Sequence, residues 1–143
     1  MINIFNGLPV GTSEGFACVK IYNEQKEVTG YALQRLSTNQ EMMFIFDKRF
    51  YDDSFEDAFE FERFVFSKDV LRHVSDVFEK ALLNSEIISL LLDEVGNVEL
   101  NDLGYSEILK EIIRSDKNVY LCVNDRHIEA ISNKFDIKQY RCI

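Results

Sequence analysis

The sequence predicts a three-layer α/β domain, in which a mostly parallel sheet is flanked by helices and extended by an antiparallel hairpin. In the second half, amphipathic stripes alternate with short apolar runs, as expected for helices that connect strands buried on both faces. In the first half, two β-rich runs are separated by a polar connector, which is typical of a hairpin. With 143 residues, 46% of them hydrophobic, the chain is expected to form one domain, residues 1–143.

The first half is predicted to be rich in strands. Residues 1–6 are expected to form a short strand, and residues 7–15 form a turn-rich connector that contains the only proline. Residues 16–22 and 31–36 are the two arms of the hairpin, and residues 42–46 can extend it as a third strand.

Residues 47–66 form an unusual segment with seven acidic and seven aromatic residues. It is expected to be a long connector whose aromatic side chains pack into the core. A mobile lid or a stripe that binds a partner is the alternative interpretation.

A clear helical pattern begins after Ser67, which is a plausible N-cap. Apolar residues then recur at helical spacing and predict one amphipathic helix: Val70, Leu71, Val74, Val77, Phe78, Ala81 and Leu82. The apolar run at residues 87–92 is expected to be a strand buried on both faces.

The last third of the chain repeats this alternation. Residues 105–113 carry a second helical stripe, and residues 119–123 form another buried strand, which would make Cys122 a core residue. Asp125 is expected to cap a third helix that runs to about Phe135, and residues 137–143 would close the sheet as a strand.

The charge and the cysteines exclude several classes of protein. A formal net charge of −9 opposes binding to a phosphate backbone, so no nucleic-acid partner is expected. The chain shows neither a signal peptide nor an apolar stretch that could span a membrane. Three widely spaced cysteines, Cys18, Cys122 and Cys142, fit neither a disulfide framework nor a zinc knuckle. We therefore expect a cytoplasmic protein with reduced thiols.

Charged side chains follow two of the predicted parallel strands. Asp93 and Glu94 end the strand at residues 87–92, and residues 124–127 (Asn-Asp-Arg-His) follow the next one. Because the carboxyl ends of parallel strands share one edge of a sheet, these groups are expected at one site. In a nucleotide hydrolase, one carboxylate holds a magnesium-bound water and the other activates the attacking water. Alternatively, the two carboxylates only begin a solvated loop.

The residues that follow strengthen the first interpretation. Residues 93–100, DEVGNVEL, with Gly104 opening a helix, resemble the D-E-[IV]-G-x-[ML]-E-[LF] signature of the nucleoside-triphosphatase family of P-loop proteins. The resemblance extends over about residues 15–143. It implies a reduced P-loop-type fold, a nucleoside triphosphate ligand and bound Mg²⁺. It also implies a catalytic role for Glu94 and a metal ligand in Asp93. From their places at the two strand ends, Arg126 is expected to neutralise charge on the phosphate, and Gly96, Asn97, Asn124 and His127 are expected to contact the ligand.

The sequence departs from this family at the phosphate-binding loop. Family members carry G-x-x-x-x-G-K-[ST] near the N-terminus, and its backbone amides and lysine bind the phosphates. Here Gly7 and Gly11 are separated by only three residues, and Thr12 follows Gly11 directly, so the lysine is missing. The sequence is therefore expected to be truncated at its N-terminus, to lack the Walker A loop and to bind nucleotide poorly.

Three functions are consistent with these observations. The first is a degenerate, non-catalytic relative that acts by binding a ligand, a protein partner or further copies of itself across an uncovered part of the sheet. The second is a Mg²⁺-dependent nucleoside-triphosphate hydrolase or phosphotransferase that is completed by a partner chain, an oligomer or the turn at residues 7–13. The third is a structural interaction module that uses residues 47–66.

Overall fold

The computed structural model describes all 143 residues and confirms the α/β fold. Seven strands are present: β1 (Ser13–Tyr22), β2 (Val28–Arg35), β3 (Glu41–Asp47), β4 (Ala58–Phe61), β5 (Phe64–Ser67), β6 (Ser89–Val95) and β7 (Asn118–Val123). The five α-helices are α1 (Ile2–Asn6), α2 (Lys68–Leu83), α3 (Asn97–Leu100), α4 (Ser106–Arg114) and α5 (Ile128–Lys134).

All seven strands belong to one mixed sheet with the order β4-β5-β3-β2-β1-β6-β7. Strands β1, β6 and β7 are parallel and form one end of the sheet. The other strands extend it by antiparallel pairing, starting with the predicted hairpin of β1 and β2. The leucines of β6, Leu90 to Leu92, are completely buried, which explains why this strand is a continuous apolar run.

Helices cover both faces of the sheet. The main core of 19 buried residues joins one face of the sheet to α2, α4 and α5. Helix α2 has the predicted cap, because the Ser67 Oγ accepts a hydrogen bond from the Val70 N–H at 3.3 Å. On the opposite face, a small cluster around Ala17 and Leu91 packs against the first eight residues of the chain.

The prediction of a strand at residues 1–6 is wrong, because this segment is helix α1. Strand β1 already pairs with β2 on one side and β6 on the other, so this part of the sheet offers no free edge. Met1, Ile4 and Phe5 instead recur at helical spacing and pack together against the small cluster.

The predicted connector at residues 47–66 is largely a continuation of the sheet. After a short 3-10 turn at Lys48–Phe50, strands β4 and β5 form an antiparallel hairpin. As predicted, several aromatic side chains of this segment pack against the core; the rings of Phe59 and Phe66 stack with centroids 4.9 Å apart. The hairpin was missed because its strands are only four residues long.

Two predictions at the C-terminal end also need correction. Asp125 does not cap a long helix; the Asn124 side chain caps a 3-10 turn at Asp125–His127, and α5 follows. Residues 137–143 do not form a strand, and they make no backbone–backbone hydrogen bond beyond the Ile137 N–H. Polar residues interrupt the short apolar pattern of this tail, so it buries too little surface to order as a strand.

Among the helices, none has the length and apolarity required to cross a membrane.

Candidate functional site

The candidate site lies where the parallel strands β6 and β7 end. Asp93 and Glu94 occupy the end of β6, and the residues from Asn124 to His127 follow β7. The two segments are neighbours, because a Cβ atom placed on Gly96 would lie 3.8 Å from the His127 Cδ2. The structure thus brings the two groups of sequence-predicted residues to the same edge of the sheet.

Asp93 is held by backbone N–H groups from two strands. Its Oδ2 accepts a hydrogen bond of 3.0 Å from the Cys18 N–H in β1, and its Oδ1 accepts one of 3.1 Å from the Glu94 N–H. The pairing of β1 with β6 ends at Phe16 and Leu92, just before this point. The Asp93 carboxylate therefore connects β1 to the end of β6 just beyond the point where the two strands stop pairing.

Glu94 has an unusual backbone and a free carboxylate. Its φ is +58°, a left-handed conformation that is strained for a residue with a long side chain. The side chain is exposed and forms no hydrogen bond within the chain. Partial desolvation of the carboxylate, and secondarily the charge of Asp93, raise the pKa of Glu94. This is the one group at the strand end with the exposure and the raised pKa expected of a general base.

Glu99 is a buried carboxylate that closes the loop after β6. Its Oε2 accepts a hydrogen bond of 2.8 Å from the Gly96 N–H, and its Oε1 accepts one of 3.1 Å from the Tyr105 N–H. Burial raises the pKa of Glu99, although these two N–H groups act in the opposite direction. At Gly104, φ is +61° and a Cβ atom would collide with the Glu99 Oε1, so glycine is required there.

Two thiols flank Asp93, one on each neighbouring strand. Cys18 lies in β1 and is partly buried, whereas Cys122 in β7 is exposed. The prediction of Cys122 as a core residue is wrong, because β7 is the last strand of the sheet and, unlike β6, has no fully buried side chain. Burial, followed by the charge of Asp93, raises the pKa of Cys18 far above the usual thiol value. Burial, followed by the nearby Asp93 carboxylate, also raises the pKa of Cys122. Both thiols are therefore protonated at neutral pH and poor nucleophiles.

The remaining predicted site residues mostly have local contacts. The Asn124 Oδ1 accepts a hydrogen bond of 3.1 Å from the Arg126 N–H, which makes Asn124 a cap. The Arg126 side chain is exposed and forms no ion pair with Asp93 or Glu94. The Asn97 Nδ2 donates to Glu62 Oε1 at 2.8 Å, across to the β4–β5 hairpin.

The turn at residues 7–13 lies at the other end of the parallel strands. The Thr12 carbonyl oxygen accepts hydrogen bonds from the Ile88 N–H at 2.7 Å and from the Ser89 N–H at 3.2 Å, where β6 begins. Asp93 lies five residue steps beyond Ile88 along the strand, which corresponds to about 16 Å. This turn therefore cannot bind a phosphate group that also reaches the carboxylates of the same molecule.

The side chains present do not form a complete metal site. No group of three or more His, Cys, Asp or Glu side chains is arranged to hold an ion. Mg²⁺ can bind to one or two carboxylates when substrate phosphates supply further oxygen ligands. At this site each oxygen of Asp93 accepts one backbone hydrogen bond and keeps a second lone pair, so phosphate oxygens, water or a partner chain would have to supply most of the ligands of a Mg²⁺ ion.

Sequence reasoning located the strand-end residues but missed the contacts that hold them. It did not assign Cys18 to the site, and it had no role for Tyr105, whose hydroxyl is buried without a hydrogen-bond partner in the chain. It quoted Glu99 as part of a signature without predicting the two N–H groups that this residue binds. Gly104 was the one local sequence feature that indicated the closed loop after β6, which Glu99 holds together.

Comparison with known proteins gives one match. A protein-family model described as NTPase matches residues 6–142, nearly the whole chain. No curated protein and no solved structure matches it.

Proposed function

The chain belongs to the NTPase family, and on this premise we propose that it is a degenerate nucleoside-triphosphatase-like protein that acts by binding rather than by hydrolysis. In this proposal the segment Asp93–Gly96 is the counterpart of a Walker B motif whose first carboxylate has become structural. The proposed partner is a protein chain, either a second copy or another protein, that covers an exposed part of the sheet.

The observation that carries the proposal is the hydrogen bonding of Asp93. A carboxylate that serves a metal must direct its oxygens to the ion or to the water molecules around it. The oxygens of Asp93 instead accept the N–H groups of Cys18 and Glu94, which belong to two different strands. Each oxygen keeps a second lone pair, but a movement of the carboxylate toward a metal would lengthen these hydrogen bonds in a partly buried place, which costs free energy.

The lack of a phosphate-binding loop within these residues also supports it. No lysine in the sequence is part of a Gly-Lys-Ser or Gly-Lys-Thr motif. Phosphate groups are held mainly by backbone N–H groups at helix N-termini and by such a lysine. The N–H of Gly96, at the start of the short helix α3, is already bound by Glu99.

A calorimetric titration with ATP and GTP in the presence of Mg²⁺ tests this function. We expect no saturable heat at millimolar nucleotide, because neither the phosphates nor the metal finds a complete set of ligands. The matched variants are Asp93→Ala/Glu94→Ala and Asp52→Ala/Asp53→Ala, since the second pair removes the same charge from an exposed part of the connector between β3 and β4. Saturable binding that only the first variant abolishes would overturn the proposal.

That contrary result would support a second candidate function, a Mg²⁺-dependent nucleoside-triphosphate hydrolase or phosphotransferase completed by a partner chain. The exposed carboxylate of Glu94, which forms no hydrogen bond within the chain, favours it, because a general base must be free to reach the attacking water. In that case Glu94 would activate the attacking water, and Arg126 would approach the phosphate after a movement of its exposed side chain. An interaction surface on residues 47–66 stays a prediction.

A further inference from the structure

The two terminal strands of the sheet differ in how they are protected against pairing. Strand β4 has four residues, and its Glu60 forms an ion pair of 2.5 Å with Lys48. Strand β7 has six residues, Asn-Val-Tyr-Leu-Cys-Val, with no charge and no proline. Natural proteins block exposed sheet edges with short strands, charges or proline. β4 has such protection and β7 does not.

The outer side of β7 offers free backbone groups. The Asn118 N–H donates to the Ile88 carbonyl, so Asn118 points toward β6. Because successive residues of a strand alternate, Tyr120 and Cys122 also direct their backbone groups toward β6. The N–H and C=O groups of Val119, Leu121 and Val123 therefore point away from the sheet.

An apolar groove of about 720 Å³ runs along this edge. Its walls include Met1 and Ile4 of α1 on one side and Ile128 and Ile131 of α5 on the other. Residues 139–143 also line the groove, but this tail is exposed and makes no backbone–backbone hydrogen bond. A strand that enters the groove can therefore displace the tail at little cost in free energy.

We propose that β7 of a second copy of this chain occupies the groove, so that two sheets join by antiparallel β7–β7 pairing around a two-fold axis. In an antiparallel pair, residues that exchange hydrogen bonds must both point toward the partner. Val119, Leu121 and Val123 satisfy this condition when Leu121 faces Leu121 of the second copy and Val119 faces Val123.

Charge complementarity favours this register over its neighbours. When Leu121 faces its own counterpart, Lys117, which precedes β7 in one copy, lies close to the 3-10 turn that begins at Asp125 of the other, and the two-fold axis repeats this approach at both ends of the strands. Moving the register by one hydrogen-bonded step places Lys117 opposite Val123 or His127 instead. In a chain of net charge −9, two such attractions offset part of the repulsion between copies.

This inference deepens the proposed binding function by naming the partner. The titration with nucleotide tests the proposed function at the ends of β6 and β7, and the following experiments test only the association of two copies. A negative result for the dimer can therefore be distinguished from a negative result for the proposed function.

The first experiment is sedimentation of the full chain at about 0.15 M NaCl, near physiological ionic strength, over a range of concentrations. We expect a reversible dimer that Lys117→Asp weakens by about tenfold, because the change places two carboxylates opposite each other at both ends of the paired strands. The double variant Lys117→Asp/Asp125→Lys should restore the dimer, since it re-creates both pairs with reversed signs. Loss of the hydrogen bond from the Lys117 Nζ to the Asn84 carbonyl is common to both variants, so the rescue separates pairing from a local effect.

The second experiment tests the register by disulfide cross-linking in a Cys122→Ser/Cys142→Ser background. In the proposed register the Cα atoms of the two copies of residue 121 lie about 5.5 Å apart, within disulfide range. Residue 120 and its own counterpart lie about 8 Å apart, outside that range. Leu121→Cys should therefore give a cross-linked dimer on mild oxidation, and Tyr120→Cys should not.

A wild-type chain that stays monomeric at about 100 μM, where even a weak association would be detected, overturns the proposal. A dimer that ignores the charge reversal, or one that cross-links through position 120 rather than 121, overturns the β7 pairing as well. Monomers in which the tail protects the β7 amides from hydrogen exchange would identify residues 137–143 as the occupant instead.

Discussion

Replacing Gly15 with alanine is expected to lower the free energy of unfolding by about 3 kcal/mol or to prevent folding. Gly15 lies in β1 where this strand pairs with β6, and a Cβ atom there would be 2.5 Å from the Leu91 carbonyl oxygen and 2.6 Å from the Leu91 Cβ. Leu91 is completely buried and belongs to the middle of the sheet, so it cannot move away. The strands would have to separate at the junction of the parallel and antiparallel parts.

Urea unfolding followed by circular dichroism measures this effect. Gly7→Ala is the matched control, because the nearest atom to its added Cβ would be the Ile4 carbonyl oxygen at 3.4 Å. We expect the control to change stability by less than about 0.5 kcal/mol. Equal midpoints for Gly15→Ala and Gly7→Ala would show that β1 and β6 do not approach each other as closely as described.

Replacing Glu99 with alanine is expected to lower the free energy of unfolding by about 2–3 kcal/mol at neutral pH. The change leaves the Gly96 and Tyr105 N–H groups without an acceptor in a buried place and opens a void under the loop. Relief of a desolvated charge offsets part of this loss. Glu107→Ala is the control, because Glu107 is exposed on α4 and pairs only with Lys110 at 2.6 Å. Similar unfolding midpoints for the two variants would contradict a structural role for Glu99.

The pH dependence gives a second readout for the same residue. Folding raises the pKa of Glu99 through burial, so the folded state binds a proton more tightly than the unfolded state. Stability should therefore fall as pH rises from the ordinary glutamate pKa to the raised value in the folded state. Glu99→Gln should flatten this slope in part, since the pKa of Glu94 is raised as well. An unchanged slope in Glu99→Gln would mean that the carboxylate of Glu99 is not buried in solution.

The elements with strong local periodicity could be predicted from the sequence. The stripe after Ser67 and the apolar run before Asp93 predicted α2 and β6, because burial on one face or on both faces determines which neighbouring residues are apolar. The segments that were wrong depend on distant parts of the chain. Residues 1–6 form a helix because both sides of β1 are already paired, and no local pattern reveals that.

The candidate site, too, combines features that the sequence predicts with contacts between distant residues that it does not predict. The topology of parallel strands was sufficient to place Asp93 beside the segment that follows β7. The decisive contact, from the Cys18 N–H to the Asp93 Oδ2, joins residues that are 75 positions apart and uses a backbone group that every residue except proline has. No spacing rule could have predicted this contact, and the structural role that we propose for Asp93 rests on it.

The most direct test of this interpretation is a titration of the ¹⁵N-labelled chain with Mn²⁺, as a paramagnetic substitute for Mg²⁺, with and without ATP. If Asp93 is a structural acceptor, the amide signals of Cys18 and Glu94 should broaden no more than those beside the exposed pair Asp52 and Asp53. Selective broadening at Cys18 and Glu94 that disappears in Asp93→Ala would contradict the account, because it would place a metal ion on the carboxylate at the end of β6.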